Sequence, residues 1–110
     1  MANTFTRKTS QNIGSTATQI GAYTVGASTT TIAIGLTCTN TTGSAITANV
    51  FLANATANTY IVANAPISAG ASLIPIGGNQ KIVMITGDKM YVQSSAATSI
   101  DAILSIMEIT

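Results

Sequence analysis

Histidine and tryptophan are absent from this sequence of 110 residues, cysteine occurs once, and only three residues are acidic and four basic. Each absence removes a class of chemistry. With no imidazole, one thiol, and Asp88, Asp101 and Glu108 spread along the chain, acid–base, nucleophilic and metal-binding constellations have almost nothing to be built from. The chain is therefore expected not to be an enzyme, and to use no metal and no cofactor. Cys38 cannot form an internal disulfide, and its alternation with Ile34 and Leu36 predicts a small buried hydrophobe. Asp88 in its Gly-Asp turn reads as a turn former, and Asp101 and Glu108 as surface charges.

Charge is equally scarce. Charged residues make up 6% of the chain and hydrophobic residues 46%, with a net charge of +1, where a soluble domain usually carries about 25% charged residues. The remaining surface must be neutral Thr, Ser, Asn and Gly, which favours self-association, so a homo-oligomer whose neighbours cover much of that surface is expected. Arg7 and Lys8 are adjacent, and suit an acidic partner surface or solvent; two cations do not make the basic stripe that nucleic acid requires. No apolar run approaches the ~18–20 residues of a membrane helix, because Asp101, Ser105 and Glu108 interrupt even the final segment. The opening MANTFTRKTSQNIGS lacks the apolar core of a secretory signal, so assembly in a cytoplasm is expected. Gly70, Gly77 and Gly78 are not followed by the Lys-Ser pair and helix of a phosphate loop. Asn40-Thr41-Thr42 and Asn54-Ala55-Thr56 match the glycosylation pattern, but such matches arise by chance in a chain this rich in Asn and Thr.

What is present is alternation. The length suits one domain that buries about two-thirds of its unfolded surface. Residues 1–18 are polar and read as an extended N-terminal arm with a reach of about 60 Å; residues 19–110 read as the folded domain. Strands are expected at 18–25, with Ile20, Ala22 and Thr24 on one face, and at 29–40, with Ile32, Ile34, Leu36 and Cys38 inward. After the turn residues 40–44, a hairpin partner at 46–53 points Val50 and Leu52 inward and leaves Phe51 on the outer face. Shorter strands follow at 59–63 and 72–76, with Pro66 at a sheet edge. The last thirty residues predict three consecutive strands, 81–86, 89–95 and 99–110, the first two joined as a hairpin by Gly87-Asp88. Helical spacing competes only weakly, in 99–108. About seven or eight short strands at this spacing make an all-β, single antiparallel β-sandwich, immunoglobulin-like or jelly-roll.

The closing strand is apolar on both faces. With Ile100, Ala102, Leu104 and Ile106 toward the core, Ile103, Met107 and Ile109 point outward, to be covered by the N-terminal arm or by a neighbouring subunit. Burying those three would contribute about 4–8 kcal/mol before the entropy of association. Together with Phe51, Arg7 and Lys8 they form the candidate interface.

The segments TNTTGSAITANVFL (39–52), YIVANAPISAGASLIPIGGNQKIVM (60–84) and GDKMYVQSSAATSIDAILSIMEIT (87–110) resemble small β-sandwich virion structural proteins and fibre-associated domains of tailed bacteriophages, cyanophages in particular. The resemblance covers residues 20–110 and includes no catalytic motif. It implies a structural role in a virion assembled in the host cytoplasm, with partners such as the major capsid protein, or alternatively tail proteins. Within that family a capsid decoration or cement protein is one expectation and a tail, neck or baseplate fibre component another. A carbohydrate-binding receptor module is a third, opposed by the lack of Trp and by the scatter of Tyr23, Tyr60 and Tyr91 along the chain.

Overall fold

The computed structural model describes residues 2–54, 57–77 and 80–110. Its strands are β1 (Asn3–Ile13), β2 (Thr18–Gln19), β3 (Thr30–Asn40), β4 (Ile46–Ala53), β5 (Asn58–Ile67), β6 (Ser72–Ile76), β7 (Ile82–Met84), β8 (Lys89–Ser94) and β9 (Ile100–Ile109), with one 3-10 turn at Ile20–Ala22. They form two antiparallel sheets. Sheet A has the order β1-β9-β3-β6, with β7 also pairing β3, and sheet B has the order β2-β8-β4-β5. β7 meets β3 at residues 31–33 and β6 meets it at 36–39, so β6 and β7 share one edge position. That leaves eight strand positions in two four-stranded sheets, wound as a jelly roll. The immunoglobulin-like alternative is thereby set aside.

The core between the sheets is aliphatic. Leu36, Ile76, Met84, Ile100, Leu104 and Ile106 from sheet A meet Val50, Met90 and Val92 from sheet B, all with 1% exposure or less. The alternation expected in the closing strand is present: Ile100, Ala102, Leu104 and Ile106 are buried, and Ile103 is not.

Connections differ from the expected ones. β7, β8 and β9 do not close one sheet: β7 and β9 lie in sheet A and β8 in sheet B. The Gly87-Asp88 turn is thus a crossing between layers. It is held at Val25, whose carbonyl accepts from the Gly87 amide at 2.9 Å and whose amide donates to the Asp88 carbonyl at 3.1 Å. The Asp88 carboxylate turns back to accept from the Ile85 amide at 3.0 Å, so this turn former also tethers the crossing. Residues 40–44 likewise cross between sheets, and the hairpin of sheet B is β4–β5. Pro66 lies in β5, an edge strand, where its missing N–H costs no ladder bond.

The stretch 18–25 is not one strand. After β2 the chain makes the 3-10 turn, with Gly21 at φ 59°, and packs against β1. A Cβ on Gly21 would lie 2.7 Å from the Lys8 Cβ, so only glycine fits this approach. Polar residues 3–13, expected as an arm, form β1, an eleven-residue strand paired along β9 from Asn3↔Ile109 to Ile13↔Ile100. It extends sheet A sideways and does not lie over the outer face of β9.

The expected face of β3 holds for half its length. Leu36 and Cys38 are buried, but so are Thr31 and Ala33, while Ile32 and Ile34 are only half-buried. A β-bulge is the cause: Ala33 pairs Ile106 and Gly35 pairs Ser105, so Ile34 is an extra residue that reverses the alternation.

Candidate functional site

The structure separates the six candidate contact residues. Ile103, Met107, Ile109 and Arg7 share the outer face of sheet A, since their β9 and β1 positions alternate with the buried Leu104, Ile106 and the inward Lys8. Here cross-strand pairing builds a row that sequence spacing could not show. Phe5 on β1 is opposite Met107 on β9, Met107 opposite Ile32 on β3, and Ile32 opposite Val83 on β7. This apolar row crosses all four strand positions of the sheet, with β7 at the last. Phe5 is 72% exposed and Val83 61%, Ile74 and Ile85 are about as open, and Ile103 is 49% exposed. Ile32 and Ile34 join this face because the bulge turns them away from the core. Arg7 sits in the next row, opposite Ser105, and is the one cation on it among the described strands.

Lys8 and Phe51 belong elsewhere. Lys8 lies on the inner side of β1, with its Nζ 5.2 Å above the Tyr23 ring, a cation–π contact that occupies it within the chain. The Tyr23 hydroxyl donates to Glu108 Oε2 at 2.7 Å. Having given its one proton, it accepts from the Thr31 hydroxyl at 2.7 Å. Burial first, and then the hydrogen bond and charge of Glu108, raise the Tyr23 phenol above its ordinary value, against a lowering by Thr31. Glu108 is therefore an internal acceptor rather than a bare surface charge. Asp101 accepts from the Asn12 amide at 3.1 Å, where β1 bulges and Asn12 takes φ 56°. The three carboxylates each brace backbone or phenol, and no group of three metal-ligating residues occurs among the described residues.

Phe51 is on the outer face of sheet B, on the opposite side of the molecule from Ile103, and is only 6% exposed. Rings cover it. Tyr91 stacks on it at 5.3 Å with planes 4° apart, and Tyr60 lies at 5.0 Å, tilted 40°. Thus two of the three tyrosines, distant in sequence, are gathered on one face by strand pairing. Tyr23 alone stands apart.

The polar group missed in the sequence is Asn40. Its buried side chain donates to the carbonyls of Ser44 at 2.8 Å, Ile67 at 3.1 Å and Ser68 at 3.2 Å, and accepts from the Thr42 amide at 2.9 Å. It ties the β3–β4 crossing to the β5–β6 crossing. The glycosylation match at Asn40 is a structural amide; the one at 54–56 extends beyond the described residues.

No protein-family model matches the chain, and no curated protein does. Solved structures do match. A pilus protein of Bacillus endospore appendages, from a novel family of disulfide-linked pili, superposes with a TM-score of 0.54 at 16% identity, over 100% of this chain and 91% of its own. A chain from infectious bursal disease virus, Gx strain, superposes with a TM-score of 0.58 at 14% identity. That match covers 97% of this chain and 32% of the viral one, so the present chain spans about a third of its length. At these identities what is shared is the sandwich fold. The sole cysteine here is fully buried, so no disulfide link between copies can form through it while the core is intact.

Proposed function

We propose that this chain is a structural subunit of a tailed-phage virion, a capsid decoration or cement protein that docks through the outer face of sheet A onto copies of itself and onto the major capsid protein. The observation that carries this reading is the row Phe5–Met107–Ile32–Val83, which leaves large side chains in water at both ends. A sheet with one polar face and one core face needs no cover; this one has apolar residues on both. The small charged fraction fits a surface meant for contact.

Two measurements test it. In sedimentation the chain is expected to be an oligomer, and Phe5→Ser with Val83→Ser is expected to release a monomer that still unfolds cooperatively, because neither side chain belongs to the buried core, with a midpoint lowered only by the lost association. A wild-type monomer at working concentration overturns the interface. Copies per virion, counted by quantitative mass spectrometry against the major capsid protein, are expected in the hundreds. A count of about six or twelve, the size of a closed ring, moves the protein to the second reading, a tail, neck or baseplate component. That reading draws support from the likeness, over nearly the whole pilus subunit, to a protein of an extended appendage.

A further inference from the structure

Sheet B turns a different surface outward. Its cross-strand row runs Gln19–Tyr91–Phe51–Tyr60 through β2, β8, β4 and β5. The next outward row toward the β4–β5 turn is Lys89–Ala53–Asn58, with a single methyl at its centre. The step down from stacked rings to that methyl leaves a cleft of about 540 Å³, within the roughly 300–1,000 Å³ of small-ligand sites. Tyr91 and Phe51 form its wall, Ala53 its floor, and Asn58, Lys89 and Thr86 its rim.

The lining selects a ligand class. An apolar ligand would strip water from an ammonium, an amide and a hydroxyl without replacing it. A phosphate would meet one cation and no helix N-terminus. A pyranose fits both halves: its C–H face packs on an aromatic wall, and its hydroxyls need donors and acceptors side by side. Asn58 offers both and Lys89 offers donors. The Thr86 hydroxyl already donates to the Gly26 carbonyl at 2.9 Å, so it can meet a ligand only as an acceptor. Since Tyr91 and Phe51 are stacked, their rings do not have to be ordered when a sugar arrives. We propose that this cleft is a glycan-binding subsite for a short oligosaccharide segment, on the face opposite the docking surface of sheet A. It stands independently of the virion assignment.

Saturation-transfer NMR on the full chain, a ligand-observed method suited to oligomers, tests it with cellotriose, chitotriose and trigalacturonate as probes. At least one probe is expected to give a saturable signal with a Kd near ~1 mM. Ala53→Gln, which fills the floor from the solvent side, is expected to weaken it roughly tenfold, and Tyr91→Ala to weaken it by a similar factor. Gly43→Ala, in the exposed crossing at the far end of β4 where an added Cβ meets nothing within 4 Å, should leave it unchanged. Because Tyr91→Ala also removes a ring stack, Ala53→Gln with an unaltered melting transition is the deciding variant. No saturable signal from any of the three probes, or a signal indifferent to Ala53→Gln, overturns the proposal.

Discussion

Cys38 shows how a single side chain records its surroundings. It is fully buried in sheet A, and burial pushes its thiol from an ordinary 9.0 to about 12. Below about pH 9 the thiol is protonated whether the chain is folded or not, and its contribution to stability is fully present. Between those values the unfolded chain gives up the proton first, so the native state holds more protons and stability falls as pH rises. Tyr23, raised mainly by burial, acts in the same direction. The free energy of unfolding in denaturant is therefore expected to decline above about pH 9, and Cys38→Val to flatten that decline. An identical slope in the variant would assign the whole alkaline loss to other groups. Asn40 is the complementary case: adjacent Asn and Thr residues reveal nothing of a buried amide that binds three carbonyls from two crossings.

At the level of elements, β3 carries the most consequential irregularity. The bulge at Ile34 allows Thr31 and Ala33 to face inward at one end, Leu36 and Cys38 at the other, and moves two isoleucines to the outer face. Removing the extra residue would leave Ala33 opposite Ile106 and Gly35 opposite Ser105 in a regular ladder, with every other side chain on its present face. Deleting Thr37 would instead turn Cys38 and Asn40 outward. Deletion of Ile34 is thus expected to preserve a cooperative unfolding transition, and deletion of Thr37 to abolish it, as read by circular dichroism on heating. Equal tolerance of both would refute the register.

For the whole molecule the governing fact is that neighbours in space are distant in sequence. β1 pairs β9, and Ala2 and Thr110 exchange backbone hydrogen bonds at 3.2 and 3.0 Å. Most successive connections cross between sheets, β4–β5 and β6–β7 excepted. Loop closure must precede nearly every rewarding contact, which places refolding on the millisecond-to-second scale of all-β domains. Stopped-flow circular dichroism checks this; completion within microseconds would contradict so non-local a topology. The same topology gives the molecule two unlike outer faces, apolar on sheet A and aromatic with amides on sheet B.

Much of this was legible from residue order. The all-β class, the bounds of β4 and β6, the buried alternation of β9 with Ile103 outward, and the burial of Cys38 all follow from period-two patterning, which is a local property of the pleat. The polar N-terminal stretch was not legible as a strand, because β1 places only Ile13 fully in the core and takes its order from the edge of β9. Nor could turn chemistry distinguish a hairpin from a crossing between layers: a Gly-Asp turn reverses the chain in either case, and which sheet receives the next strand depends on partners far away. The grouping of Phe5, Met107, Ile32 and Val83 on one face, and of Tyr91, Phe51 and Tyr60 on the other, is likewise a matter of pairing register. Alternation settles which side chains leave the core, but only the tertiary structure decides which of them become neighbours.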